Sequence, residues 1–385
     1  MVPAGRVYLD YNASTPIDPV VAEVMTPLLG RDYGNPSSGH WASTPARLAL
    51  ECARAEVAAL LGCRSDEVVF TSGGSEANNL AIKGVLLAAR EAGGHIVTTA
   101  VEHPAVLMPC RFLERFGATV TCLPVDATGR VDPDAVRRAI TPRTTLISIM
   151  HANNEVGTIQ PIEEIGGIAR EHGIPLHTDA AQSAGKLPTR VDALGVDLLS
   201  IAGHKLYAPK GVGALYVRAG IRLEPLIHGA GHERGRRAGT ESALLAAGLG
   251  AACRLAQDLA PMPRIRRLRD RLWRGLQERF GDRVVLNGHP ELRLANTLNV
   301  SFVGRIGSDI LQQLDGVAAS TGSACHAGRV ELSPVLEAMG VPPAVGMGAI
   351  RFSLGRSTTA DEIDSVLAGF DAIAASPEAR AQRSA

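Results

Sequence analysis

Between residues 67 and 217 the chain alternates short, mostly aliphatic runs with stretches of helical periodicity. A strand that is buried on both faces has this aliphatic composition, and helices that connect such strands allow the strands to run parallel. The alternation therefore predicts an α/β fold with a mostly parallel central sheet. The predicted strands cover residues 67–71, 95–99, 118–123, 144–150, 174–178, 196–201 and 212–217.

The chain is longer and more varied than one such sheet requires. Its 385 residues exceed what a single compact core usually holds, so a second, smaller domain is expected. After residue 240 the alternation stops, and residues 241–280 have the pattern of long helices, which Pro261 and Pro263 interrupt. Strand patterns return at 297–303 and 349–354, which predicts a smaller α+β unit in the C-terminal part of the chain.

Charge and composition exclude several classes of protein. Lys plus Arg equals Asp plus Glu at 39 each, so no basic excess indicates direct nucleic-acid binding. No apolar run is long enough to cross a bilayer, and the first residues lack the apolar core of a signal peptide. The six cysteines show neither metal-ligand spacing nor a disulfide framework. We therefore expect a cytoplasmic protein with no membrane association and no metal site.

Polar residues follow the ends of several predicted strands. Because the carboxyl ends of parallel strands meet at one edge of a sheet, these side chains are expected to converge there. A set of such residues in one array is a stronger signal for a ligand site than any one of them alone. The residues are Gly74 with Ser75, His103, Asn154, Asp179, Gln182, His204 and Lys205.

Lys205 carries the most specific chemistry in this set. Lysine is the side chain that forms a Schiff base with an aldehyde cofactor, provided that its amine is deprotonated. A solvated lysine in an ordinary turn is the alternative. The predicted return strand at 212–217 would hold the turn in one place, which favours the functional interpretation.

Three other strand ends are open to two interpretations each. The glycine turn at Gly74 precedes a helix and could cradle a phosphate, although it has neither the Rossmann nor the P-loop spacing and could be a plain turn. Asp179 could pair with a protonated pyridine nitrogen or cap a helix. His103, just before Pro104, could be catalytic or structural.

Four features outside this array are also candidates. The Gly-rich basic stretch 223–240 could be an anion-binding loop or a flexible solvated one. Cys325 lies in a predicted loop of small residues, 319–328, beside a histidine that can favour its thiolate. Arg351 lies in an apolar strand and needs an anionic partner, either a substrate carboxylate or a structural ion pair. Asn35 could contact a ligand or form a turn.

Taken in order, the motifs resemble the cysteine desulfurase family of the class V aminotransferase group, whose members use pyridoxal 5′-phosphate (PLP). The resemblance covers the chain except for both tails, and the ordered set is far more specific than any single motif. The motifs are YLDYNASTP at 8–16, GNPSS at 34–38, FTSGGSEAN at 70–78, EH at 102–103, HANNE at 151–155, HTDAAQ at 177–182, GHK at 203–205, GHERG at 231–235, GT at 239–240, GSAC at 322–325 and RFSLGR at 351–356.

The resemblance implies a fold and an assembly. The expected fold is the PLP-dependent transferase fold of type I, in a homodimer. A large PLP-binding domain would cover residues 16–260. A small domain would combine residues 1–15 with 261–375 and carry the cysteine loop, and residues 376–385 would form a disordered tail.

The resemblance also implies a role for each candidate residue. Lys205 would form the Schiff base, His103 would stack on the cofactor ring and move protons, and Cys325 would take the sulfur as a persulfide. Asp179 would pair with the ring nitrogen and Gln182 with the ring hydroxyl. The phosphate would be bound by Gly74, Ser75, His204 and Thr240 of the partner subunit, and the substrate or cofactor by Asn35, Asn154 and the guanidinium fork of Arg351.

Two positions depart from the family pattern. Ala202 stands two residues before His204, where the family commonly has a serine that binds the phosphate. After the cysteine come His326 and Arg329 instead of small hydroxyl residues, which resembles selenocysteine lyases and some specialised desulfurases.

The expected reaction is conversion of L-cysteine to L-alanine, with the sulfur passed to Cys325 and then to an acceptor protein. The acceptor could serve iron–sulfur clusters, thio-cofactors or nucleic-acid thiolation. A selenocysteine lyase is the first alternative. A PLP aminotransferase would not need Cys325, and a PLP-free nucleotide-binding or scaffold protein would not need Lys205.

Overall fold

The computed structural model describes residues 5–89, 93–321, 323–326 and 329–375, with residues 323–326, 329 and 330 described as backbone only. The helices are α1 Pro19–Met25, α2 Thr44–Leu61, α3 Gly74–Ala88, α4 Pro104–Glu114, α5 Pro133–Ala139, α6 Ile162–Glu171, α7 Val191–Leu194, α8 Ala243–Ala256, α9 Met262–Phe280, α10 Gly307–Gln313, α11 Pro334–Ala338, α12 Pro343–Gly346 and α13 Ala360–Ala375. The strands are β1 Val7–Tyr8, β2 Val68–Thr71, β3 His95–Thr99, β4 Thr119–Leu123, β5 Thr144–Ser148, β6 Leu176–Asp179, β7 Leu198–Ala202, β8 Gly213–Val217, β9 Val284–Asn287, β10 Thr297–Phe302, β11 Val317–Ala318, β12 Ser320–Thr321, β13 Ser323–His326, β14 Arg329–Leu332 and β15 Ala349–Ser353.

The largest sheet has seven strands in the order β2-β8-β7-β6-β5-β3-β4. Strand β8 pairs antiparallel with both of its neighbours, and the other pairings are parallel. Six strands therefore run in one direction, and their carboxyl ends form one edge. The predicted α/β fold with a mostly parallel central sheet is confirmed.

Both faces of this sheet are buried by helices. Successive strand residues point to opposite faces, so neighbours in β7 join different cores. Leu198 packs with residues of α3 and α4, whereas Leu199 packs with residues of α2, α6 and α8. This double burial is the reason that the strands read as continuous aliphatic runs.

A four-stranded antiparallel sheet lies in the C-terminal part of the chain, in the order β12-β15-β10-β9. Its core is shared with α9 and α13 and is rich in phenylalanine. Phe302 stacks on Phe370 with 5.4 Å between ring centroids, and Phe280 meets both rings edge-on. This hydrophobic cluster also contains Val7 and Leu9, so the beginning of the chain packs with its C-terminal part.

Several local predictions need correction. The segment 319–328, predicted as a loop, contains strand β12, which pairs with β15, and strand β13, which pairs with β14. Strand β9 was not predicted, because its four residues, VVLN, do not alternate clearly between apolar and polar. The predicted break in the helices of 241–280 is present, since α8 ends at Ala256 and α9 begins at Met262, with Pro261 and Pro263 at its start, where a missing N–H costs nothing. The domain boundaries stay a prediction, and the predicted disordered tail, 376–385, lies outside the described residues.

The basic stretch 223–240 is anchored to the large sheet. Glu233 is 5 % exposed and forms a two-pronged ion pair with Arg54, whose Nη1 donates to Glu233 Oε2 over 2.6 Å. The same carboxylate accepts a hydrogen bond from the Phe70 backbone N–H at 3.0 Å. The alternative of a freely solvated loop is therefore wrong for this segment, because the carboxylate of Glu233 is buried and fully paired.

Candidate active site

A cavity of about 310 Å³ lies at the carboxyl edge of the seven-stranded sheet. Its volume is within the usual range of small-molecule sites. A larger depression of about 510 Å³ lies elsewhere, but among its described lining residues only Arg143 and Arg222 are charged. The smaller cavity brings together nine of the predicted residues: Gly74, Ser75, His103, Asn154, Asp179, Gln182, His204, Lys205 and Arg351.

Lys205 ends a short 3-10 turn that follows β7 directly. Its Nζ donates to the backbone carbonyls of Asn12 and Ala13, over 2.5 and 2.8 Å. Burial, and then the positive charge of Arg351, lower the pKa of Lys205 to about 8. Near neutral pH a larger fraction of this amine is therefore uncharged than in an exposed lysine, and the uncharged amine is the form that attacks an aldehyde.

Asp179 is the last residue of β6 and faces the same cavity. Its Oδ2 accepts a hydrogen bond of 2.6 Å from Asn78 Nδ2, and its Oδ1 accepts one of 2.9 Å from the Ala181 backbone N–H. Asp179 is only 8 % exposed, and no cation forms an ion pair with it among the described residues. A buried, oriented carboxylate of this kind suits a cationic ring nitrogen.

His103 caps the N-terminus of α4 and lines the cavity. Its Nδ1 accepts a hydrogen bond of 3.0 Å from the Ala105 backbone N–H, so a neutral ring carries its proton on Nε2. Burial lowers the pKa of His103, and the nearby charge of Lys205 also lowers it. The carboxylate of Asp179 acts in the opposite direction. The ring can therefore serve as a neutral proton carrier with a defined tautomer.

The turn between β2 and α3 forms one end of the cavity. Gly73 has φ 153°, which favours glycine, and it lets the chain enter the helix at Gly74. The first backbone N–H groups of α3 have no partner within the helix and attract an anion. His204 lies at this end, and burial lowers its pKa to about 4, so the imidazole is neutral.

Ala202 also lines this end of the cavity and is 3 % exposed. A Cβ added to Gly74 would lie only 3.1 Å from the Ala202 Cβ, so the two residues are in close contact. The residue that departs from the family pattern therefore presents a methyl group beside the helix N-terminus.

Arg351 in β15 reaches the cavity from the four-stranded sheet. Its Nη2 donates to Asp10 Oδ1 at 2.8 Å and to Ser320 Oγ at 3.1 Å, which uses both protons of that nitrogen. Its Nη1 donates to the backbone carbonyl of Asn154 at 3.0 Å. Both alternatives for Arg351 are thus represented, since it forms a structural ion pair and also faces the cavity. A bidentate grip on a substrate carboxylate requires Nη2 to release Asp10 or Ser320.

Two predicted residues lie outside the cavity. Asn35 is exposed and forms a turn, with its Oδ1 accepting from the Ser37 backbone N–H at 2.9 Å. Thr240 is also exposed, next to Glu241, which lines a separate groove together with Ser37. Cys325 is placed in strand β13 opposite Val330, and its side chain lies outside the described part of the structure.

Three important residues of the site were not predicted. Asn78 holds Asp179, and it lies one helical turn after Gly74, a spacing that could have identified it. Asn12 supplies the carbonyl for Lys205, and its side chain joins Thr297 Oγ1 and the Asn154 carbonyl. Asp10 pairs with Arg351. Asn12 and Asp10 lie far from their partners along the chain, and no local pattern marks them.

The residues of the cavity fit PLP. The site combines a lysine amine of lowered pKa, a buried carboxylate, a neutral histidine and an anion-attracting helix N-terminus. These are the groups that an aldehyde carbon, a pyridine nitrogen, a ring face and a phosphate require, respectively.

Comparison with known proteins agrees with this chemistry. The family model "Aminotransferase class-V" matches residues 7–366. "Cysteine desulfurase IscS" of Dictyoglomus turgidum is 50% identical over 366 residues, covering 94% of this chain and 93% of that protein. The protein of the same name from Methanosarcina thermophila is 48% identical, covering 94% and 90%.

Solved structures give the same result. A "NIFS-LIKE PROTEIN" has a TM-score of 0.89 and 38% identity, covering 96% of this chain and 99% of that chain. "SspA in complex with cysteine" has a TM-score of 0.82 and 40% identity, covering 91% and 99%. The fold and site thus define a PLP-dependent enzyme of fold type I. The chain belongs to the class-V aminotransferase family and, within it, to the cysteine desulfurases.

None of the helices within 5–89, 93–321 and 329–375 is long and apolar enough to cross a membrane. In the same ranges, no group of three or more histidine, cysteine or acidic side chains could hold a metal ion.

Proposed function

We propose that this enzyme removes the sulfur of L-cysteine and releases L-alanine, with Cys325 as the sulfur acceptor. In the transfer step the substrate C–S bond breaks and a bond forms between the substrate sulfur and Cys325 Sγ. The electron pair of the broken bond stays with the β-carbon, which takes a proton. One cysteine and one thiol thus become one alanine and one persulfide, and no external oxidant or reductant is needed.

The chain's own residues have separable tasks in this proposal. PLP, when bound, supplies an electron sink for the α-carbon. Lys205 provides the amine that holds the cofactor, and with His103 it exchanges protons with the substrate. Asp179 keeps the ring nitrogen protonated, and Gln182 and Asn154 contact the cofactor. The phosphate is bound by Gly74, Ser75 and His204, with Thr240 of the partner subunit.

One observation carries the proposal: the low-pKa amine of Lys205 and the buried carboxylate of Asp179 face the same cavity. The two groups come from the ends of neighbouring strands, β7 and β6, and each is fixed by hydrogen bonds. A scaffold protein has no need for this pairing of a partly neutral lysine with an oriented carboxylate.

The enzyme is proposed to act as a homodimer. Large apolar side chains are exposed near the N-terminal turn, with Tyr33 at 77 %, Trp41 at 84 % and Leu29 at 70 %. Asn35 is in the same stretch, and Ser37 lines a groove with residues of the 223–240 loop. A second copy covering this surface would bury the aromatic side chains and bring the exposed Thr240 towards a cofactor phosphate.

The remaining parts of the proposal concern the setting of the enzyme. We place it in the cytoplasm and propose that the Cys325 persulfide passes its sulfur to a separate acceptor protein. We also propose the division into a large domain, 16–260, and a small one, 1–15 with 261–375. The separate phenylalanine-rich core of the C-terminal sheet, which includes Val7 and Leu9, supports this division.

A comparison of substrates tests the reaction. The purified PLP-loaded enzyme is incubated with L-cysteine, with L-selenocysteine, or with an amino acid and a keto acid. Alanine and sulfide from cysteine alone are the expected products. Turnover only with a keto acid would make the enzyme an aminotransferase. Turnover of selenocysteine but not cysteine would make it a selenocysteine lyase, the alternative that His326 and Arg329 favour.

A further inference from the structure

A second lysine, Lys186, lies behind the cavity wall. It follows β6 by seven positions and lines a space of about 20 Å³ together with Lys205, Tyr207 and Arg356. Burial, followed by the charges of Lys205, Arg351 and Arg356, lowers the pKa of Lys186 to about 7. Among the described residues no carboxylate forms an ion pair with it. A buried cation surrounded by other cations is costly, so the hydrogen bonds of Lys186 are important for stabilising its charged form.

Both hydrogen bonds that Lys186 makes within the described residues go to Gln182. Its Nζ donates to the Gln182 backbone carbonyl at 2.9 Å and to the side-chain Oε1 at 3.3 Å. On the other side, Gln182 Nε2 donates to the Asn12 carbonyl at 3.0 Å. The Gln182 amide is thus held between Lys186, which in its charged form can only donate, and the Asn12 carbonyl, which can only accept.

This arrangement determines the orientation of the amide. An ammonium group requires the amide oxygen to face it, and a carbonyl requires the amide nitrogen to face it. Turning the amide over would place two donors together on one side and two acceptors together on the other. Because one N–H of Gln182 is used by the Asn12 carbonyl, the second remains for a ligand in the cavity that Gln182 lines.

We propose that Lys186 is a positioning residue, which holds the Gln182 amide so that its second N–H donates to an oxygen anion on the ring of the bound cofactor. The inference rests on the proposed function, because it assigns a partner to the Gln182 side chain within the cofactor site. Lys186 itself does not touch the cofactor, and its effect passes through Gln182.

The pH dependence of the bound cofactor's visible absorbance is the readout. The midpoint is the pH at which the absorbance change of the bound cofactor is half complete. A hydrogen-bond donor to the ring oxygen stabilises the anionic form of that oxygen and keeps this midpoint low. Lys186→Met removes the charged donor but keeps most of the side-chain volume. We expect the midpoint of the PLP-loaded enzyme to rise by about 0.5 to 1 pH unit, the size of one lost or weakened hydrogen bond.

A double-mutant cycle separates this effect from a direct effect of charge. Gln182→Ala should raise the midpoint at least as much, and Lys186→Met added to Gln182→Ala should then change nothing further. Lys210→Met is the matched control, because Lys210 is an exposed lysine near Lys205 in the chain and no hydrogen bond joins it to Gln182 within the described part of the chain. It should leave the midpoint unchanged.

Three results would overturn the inference. The first is an unchanged midpoint in Lys186→Met, and the second is an equal shift with and without Gln182. The third comes from Gln182→Glu, which keeps Lys186 and offers no N–H, so an unshifted midpoint there contradicts the role even if Lys186→Met does not fold. A wild-type enzyme that binds no PLP would instead contradict the proposed function.

Discussion

The two sides of the cavity are built differently. The side formed by the seven-stranded sheet takes its residues from the ends of adjacent strands. Asp179 there is fixed by Asn78 and by the backbone of Ala181, and Lys205 also donates to the carbonyls of Asn12 and Ala13. The opposite side is formed by Arg351 of β15, in the four-stranded sheet.

This difference separates two kinds of task. The ends of neighbouring strands place Asp179 and Lys205 at one rigid sheet edge, which can position a cofactor. Arg351 depends on Asp10, on Ser320 and on the Asn154 carbonyl, which come from three distant parts of the chain. We therefore expect variants on the first side to change the cofactor, and variants on the second side to change turnover with the cofactor in place.

The largest expected effect is that of Lys205→Ala. The variant loses the amine that holds PLP, so turnover should fall by about a thousandfold or more. The visible absorbance of bound PLP should change as well, while the far-UV circular dichroism stays that of the folded protein. Lys210→Met serves as the control for a removed lysine. An active Lys205→Ala enzyme of normal colour would disprove the assignment of this side as the cofactor side.

Cys325→Ser should change turnover and leave the cofactor bound. A serine hydroxyl is a poor nucleophile towards sulfur, so sulfide and alanine production should drop by about a hundredfold or more. PLP content and the spectral change on adding L-cysteine should remain. Cys122→Ser, which alters an exposed cysteine, is the control. Full desulfurase activity in Cys325→Ser would refute the persulfide step, and loss of PLP would show that Cys325 has a structural role instead.

Arg351→Lys should have an intermediate effect. Lysine keeps the charge but loses the planar fork, and one charge-assisted hydrogen bond is worth about 1.5 kcal/mol, or roughly a tenfold rise in KM for L-cysteine. The ion pair with Asp10 complicates this test, so Asp10→Asn is measured beside it. If Arg351 acts only as a structural partner, both variants will lower the melting temperature and neither will raise KM.

The same contrast explains what the sequence could predict. Residues at the ends of parallel strands, such as Asp179 and Lys205, were predictable because strand ends share one edge. The partners Asn12 and Asp10 were not, because the N-terminal segment reaches the site only through the tertiary fold, where Asp10 bridges to Ser353. The two short strands β12 and β13 were not predicted from the sequence for a related reason. Small residues such as Ser320, Ser323 and Ala324 give only a weak strand signal, and pairing with β15 and β14 makes them extended.

The smallest effect is expected from Ala202→Ser, which tests whether the cofactor side is complete. The new hydroxyl would lie beside the helix N-terminus at Gly74, where it can donate to the phosphate. A net gain of about 1 kcal/mol corresponds to a roughly fivefold lower Kd for PLP, measured by titrating the cofactor-free enzyme. KM for L-cysteine should not change, because the substrate side is untouched. Ala152→Ser is the control, since Ala152 also lines the cavity but follows β5 rather than β7. An equal gain from both variants, or none from Ala202→Ser in a stable protein, would mean that the methyl group at position 202 leaves no phosphate contact unfilled.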